Sequence, residues 1–157
     1  MRSFALAIAA LLLLASCSDD PEPIEPKTSA SRTPTEPVLP DSAREDTPSG
    51  AANFVDYWVA TFNYGAQTGN VELMLSHAGE CEPCKGYAKD FRSLPAKKRA
   101  KGQAWTLTNV RVGPERDPIE VVANVRVLKE NKTYPLTFVL NSRAPFELVN
   151  IYEREKS

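Results

Sequence analysis

An α+β fold, with N-terminal helices packed on a curved antiparallel sheet of about four strands, is predicted by three observations. Between Ala51 and Thr68 the apolar residues Phe54, Tyr57, Trp58, Phe62 and Gly65 recur at steps of three and four, the period of one helix face. Beyond Gly102 the period falls to two and β-branched residues take over. The connections between these later segments are short, so successive strands pair as an antiparallel meander.

The first element in chain order is not part of that fold. Arg2 precedes an apolar run from Phe4 to Ala15 that is too short to cross a bilayer, and small residues follow before Cys17. These are the parts of a secretory signal peptide, residues 1–16. Leu14-Ala15-Ser16-Cys17 resembles the lipobox of bacterial lipoproteins. The resemblance implies that Cys17 carries a thioether-linked diacylglycerol, becomes the first residue of the mature chain, and anchors it to the extracytoplasmic face of the cell membrane. Two acyl chains hold where one is marginal, since each buried methylene contributes about 0.8 kcal/mol.

Residues 17–50 read as a disordered tether. Seven prolines and no aromatic residue lie between Ser18 and Gly50, with eight acidic against three basic side chains. Such a segment has too little apolar surface to offset the entropy of ordering it. The foldable domain is then 51–157, about the usual size for one core.

Within it, Ser49 is the expected cap of the first helix, and Gly69-Asn70 the stop. Asn70 can cap a short second helix carrying Val71, Leu73, Met74 and Leu75. A third helix is expected over Cys81 to Leu94, ended by Pro95, and Lys97-Lys98-Arg99-Ala100-Lys101 reads as a solvated connector. Ala104 to Val112 is the first strand. Trp105 and Leu107 lie on one face by alternation and Val110 and Val112 on the other, so a bulge near Asn109 is expected. Ile119 to Leu128 alternates cleanly, and Glu130-Asn131-Lys132 turns the chain. Tyr134, Leu136, Phe138 and Leu140 alternate in the next strand, where Pro135 suggests an edge position or a strand start. Phe146 to Tyr152 supplies the last strand.

Charge excludes one class of partner. From Ala51 onward fifteen basic residues face twelve acidic ones, far from the clustered excess of a nucleic-acid binder. With Cys17 assigned to the anchor, Cys81 and Cys84 are an even pair outside the cytoplasm, where disulfides persist. The bland reading of Cys81-Glu82-Pro83-Cys84 is a structural disulfide at a helix start. Thiol exchange is the sharper one, because a helix N-terminus stabilises a thiolate. The thioredoxin pair, however, follows a strand, and this one lies between helices. His77, Cys81 and Cys84, with Glu80 or Glu82, have zinc-like spacing, but the chain holds one histidine and the oxidised pair offers no thiolates. No metal, cofactor or catalytic residue is therefore assigned.

A long amphipathic helix, shorter helices and a meander is the order of the nuclear-transport-factor-two-like fold, a sheet curled into a cone, and the cystatin-like fold is close to it. More narrowly, the lipobox, the Pro-rich linker, Phe54-Val55-Asp56-Tyr57-Trp58, Asn63-Tyr64, Thr68-Gly69 and the CxxC together resemble a family of uncharacterised lipoproteins of high-GC Gram-positive bacteria. That family has no assigned activity. The expected pocket is a cone lined by Tyr57, Trp58, Trp105, Tyr134 and Phe138, suited to an apolar or ring-shaped ligand. The first functional reading is a non-enzymatic envelope lipoprotein, attached through Cys17, whose domain binds an apolar ligand or an envelope protein. The alternative is an extracytoplasmic enzyme or thiol-redox protein using the cone or Cys81 and Cys84.

Overall fold

The computed structural model describes residues 33–154. The signal segment, Cys17 and the first half of the expected tether lie outside the described residues. Three helices, α1 (Pro48–Thr68), α2 (Glu72–Ser76) and α3 (Glu82–Ser93), precede four strands, β1 (Trp105–Arg116), β2 (Ile119–Val127), β3 (Lys132–Leu140) and β4 (Leu148–Glu153). The strands form one antiparallel sheet in the order β1-β2-β3-β4, the meander that the short connections imply.

Helix α1 is the centre of the core. Its start is two residues earlier than a Ser49 cap would give, because Thr47 Oγ1 accepts from the Gly50 N–H at 3.0 Å and Pro48 occupies the first turn. Proline suits that position, where its missing N–H has no partner to lose. At the other end Gly69, at φ 76°, turns the chain left-handed and returns its N–H to the Gly65 carbonyl. Asn70 Oδ1 then accepts from the Glu72 N–H at 3.1 Å and starts α2. Ala51, Phe54, Val55, Trp58, Phe62 and Ala66 make the buried face of α1. Opposite them stand Val121, Ala123 and Val125 of β2, Phe138 and Leu140 of β3, and Leu148 and Ile151 of β4.

Two sheet positions test the alternation read in the sequence. The bulge is present, between Thr108 and Arg111, with Asn109 at φ 55°. Its extra residue brings Val112 opposite Val121, onto the face of Trp105 and Leu107, which is the switch of faces expected from the bulge. Pro135 sits in a central strand, paired with Asn124, not at an edge. In an antiparallel ladder one residue's N–H and C=O point to the same side, and here the Pro135 carbonyl takes the Arg154 N–H just where β4 ends. The absent N–H therefore faces the end of β4, and the proline removes no bond between β3 and β2.

The largest correction concerns the end of the tether. Residues 33–47 form a strap along α1: Thr33, Pro34 and Pro37 share a groove with Ala60, Tyr64 and Gln67. Leu39 packs on the core, and Ala43, in a short 3-10 turn, is 1% exposed. The strap ends so close to the helix that a Cβ on Gly50 would overlap the Glu45 carbonyl. Prolines at positions 34, 37 and 40 recur at the three-residue period of a polyproline turn, and Pro40 has its backbone angles, φ −71° and ψ 153°. Average composition hid this, because Leu39 and Ala43 carry the burial.

Candidate functional site

The start of β1 is fixed by one side chain of α1. Asn63 Oδ1 accepts from the N–H groups of Ala104 and Trp105, both at 2.8 Å, and Asn63 Nδ2 donates to the Trp105 carbonyl at 2.9 Å. Trp105 is thereby held against Phe62, with ring centroids 3.9 Å apart and planes at 25°. Tyr87 of α3 meets Trp105 edge-on at 5.3 Å.

From there the five expected pocket residues part company. Trp58 and Phe138 are 0% exposed and pack against each other inside the core, so they cannot line a cavity. Tyr57 is buried at the other end of α1, edge-on to His77 at 5.4 Å. Of the five, only Trp105 and Tyr134 share a surface groove, of about 310 Å³, with Tyr87, Tyr152, Glu130, Glu153 and the aliphatic Val127, Leu136 and Ile151. The same apolar period that marks a pocket wall marks a filled core, and here the core prevailed.

The groove lies where the N-terminal end of β3 and the C-terminal end of β4 run side by side, Leu136 opposite Glu153. The β2–β3 turn, with Asn131 at φ 53° and braced by Arg126 at 2.7 Å, brings Glu130 to its rim. The Tyr134 hydroxyl donates to Glu130 Oε2 at 2.6 Å, and that bond holds the phenol proton above its usual range. Burial does the same to Tyr87, helped by Asp90 and Glu130. No lysine or arginine is among the described lining residues. Four aromatic side chains, Tyr87, Trp105, Tyr134 and Tyr152, and two carboxylates thus converge without a cation among the described lining. In the sequence Tyr87 reads as an inward residue of the third helix and Glu130 as part of a turn, and neither they nor Glu153 read as pocket residues; the one local signal is Glu130 four residues before Tyr134.

Cys81 and Cys84 are disulfide-bonded and wholly buried at the start of α3. Cys81 Sγ also accepts from the Cys84 N–H at 3.3 Å, so the sulfur caps the helix. Among the described residues no three His, Cys, Asp or Glu side chains converge as a metal site.

His77 borders a separate hollow of about 260 Å³ with Leu39, Arg44 and Phe146. Asp56 is exposed on α1 and meets none of these groups at hydrogen-bond range. Burial pushes the His77 pKa below its usual 6.5; Glu147 acts upward and Arg44 downward. A histidine harder to protonate when folded leaves stability intact above 6.5 and removes it as pH falls through that value, because the unfolded chain takes the proton first. The melting temperature should therefore decline on acidification below 6.5. In His77→Phe, which keeps an aromatic ring beside Phe54 and Tyr57, that part of the decline should disappear.

A family model, described as Family of unknown function (DUF6318), matches residues 24–155. The chain belongs to the DUF6318 family. No curated protein and no solved structure matches it. The matched range of the DUF6318 domain starts well before Ala51 and takes in the strap, as the packing of Leu39 and Ala43 requires. The Trp105–Tyr134 groove also falls wholly inside it.

Proposed function

We propose that this DUF6318 chain is a cell-envelope lipoprotein, anchored through diacylglycerol on Cys17, whose domain binds a positively charged ligand in the Trp105–Tyr134 groove. The anchor reading rests on Leu14-Ala15-Ser16-Cys17. The binding reading rests on one observation, the convergence of Glu130 and Glu153 on the rings of Tyr87, Trp105 and Tyr134. Aromatic faces attract cations, and carboxylates at the same rim strengthen that attraction and orient the donor. A lysine or arginine side chain of a peptide combines the charge with an apolar stem that fits against Val127 and Ile151.

The thiol-redox alternative needs a sulfur that a substrate can reach, and both sulfurs are buried. The disulfide serves better as a clamp on the start of α3.

Two measurements test the two halves. Cys17→Ser should move the protein from the membrane to the soluble fraction and abolish labelling by radioactive fatty acid; retention of either rejects the anchor. In a fluorescence titration Trp105 should respond to a lysine- and arginine-bearing oligopeptide. The double variant Glu130→Gln, Glu153→Gln should weaken binding about tenfold, equivalent to about 1.4 kcal/mol. Equal binding of a neutral peptide would overturn the charge reading.

A further inference from the structure

The basic connector is solvent-exposed at Lys97, Lys98 and Lys101, as its composition suggests, and it is also tied to the domain. The Ala100 N–H donates to the Ala66 carbonyl at 3.1 Å, which ties the connector to the end of α1. Arg99 Nε donates to the Leu94 carbonyl at 3.3 Å, and its guanidinium lies so close over Gly69 that a Cβ there would meet it at 2.6 Å. The connector thus forms one wall of a second groove, of about 480 Å³, whose floor includes Ala66, Phe91 and Leu94. Lys98, Arg99, Lys101 and Lys129 surround it, and no acidic residue is among the described lining. None of the ion pairs among the described residues involves these four. Beside Lys129 at the β2–β3 turn, Leu128 is 42% exposed and donates its N–H to Ala104 of the same groove.

Position adds to charge. The chain leading back to Cys17 leaves the described domain at Thr33, which shares a groove with Gln103, and Gln103 also lines the basic groove. The anchored end and the cations are on the same end of the domain.

We propose that this groove binds the phosphate headgroups of anionic phospholipids in the membrane that carries the anchor, with Leu128 touching the acyl boundary. The assignment rests on the anchor reading given above for its geometry, but its chemistry can be tested without the anchor. Lysines supply point charges suited to phosphate, and the apolar floor accommodates the glycerol and upper chain. The acidic Tyr134 groove lies on the other side of the same turn, with Glu130 next to Lys129, so the membrane-facing side and the ligand-facing side carry opposite charge.

The test uses the mature chain, residues 17–157, carrying Cys17→Ser, which lacks the apolar signal segment and cannot be lipidated, in flotation with vesicles of phosphatidylglycerol and phosphatidylcholine or of phosphatidylcholine alone. Binding is expected to the anionic vesicles only and to fade with added salt. Lys98→Gln, Lys101→Gln, Lys129→Gln together should lower it on the order of a hundredfold, about fivefold for each charge, at an unchanged melting temperature. Equal flotation with both vesicles, or no loss in the triple variant, would overturn the proposal. Complete inhibition by inorganic phosphate at matched ionic strength would also overturn it, by making free phosphate the ligand. Failure of the anchor itself is read separately, from fractionation and labelling of the unmutated chain.

Discussion

Trp58→Ala is expected to remove about 3–5 kcal/mol of folding stability, the usual cost of deleting a buried aromatic side chain. Trp58 has no exposed surface, packs against Phe62 and Phe138, and links α1 to the sheet. Its Nε1–H also donates to the Met74 carbonyl at 3.2 Å, which fixes α2 against α1. The truncation therefore opens a cavity and strands a buried acceptor. Against a total of about 5–15 kcal/mol for a domain, the urea midpoint should fall by a large fraction. Trp58→Phe separates the two causes: it retains most of the packing and loses the hydrogen bond, so a smaller loss of about 1–2 kcal/mol is expected. Equal losses in both variants would assign the whole effect to the bond with Met74.

Asn63→Leu should be nearly as damaging, although the leucine side chain has the same branched outline. The leucine leaves the N–H groups of Ala104 and Trp105 and the Trp105 carbonyl without their partner, and each buried unsatisfied group costs about 1–3 kcal/mol. A combined loss of about 3–5 kcal/mol is expected in urea unfolding. Asn63→Asp retains the acceptor for both N–H groups and loses only the donor to Trp105, so it should recover part of that loss. Because Asn63 positions Trp105, peptide binding in the groove should weaken in the leucine variant even under conditions where it remains folded.

These two residues also show how far a sequence can be read. Trp58 belonged to an obvious helical stripe, and the α+β class, the order of its elements and the meander all followed from local period and connection length. The disulfide followed from counting cysteines. Asn63 carried no such signal, since a polar residue on a helix reads as solvent-facing until the strand forty residues later arrives against it. The groove acids were hidden for the same reason: Glu130 is a turn residue and Glu153 a terminal charge, and only strand register brings both beside Trp105. The assignment of Tyr57, Trp58 and Phe138 to a pocket failed because apolar spacing does not distinguish a cavity wall from a packed interior. The strap failed differently, through averaging: a proline-rich, acidic segment looks unfolded as a whole, while Leu39 and Ala43 dock it.

The central claim is that the domain binds a cationic ligand where Tyr87, Trp105 and Tyr134 meet Glu130 and Glu153. A titration of isotopically labelled protein with a lysine- and arginine-bearing oligopeptide, followed by two-dimensional amide and indole NMR, tests it most directly. Saturable shifts are expected of the Trp105 indole N–H and of the amides of Tyr87, Glu130, Tyr134 and Glu153, with the buried Trp58 indole unmoved. Shifts confined to other surfaces, or none at saturating peptide, would contradict it.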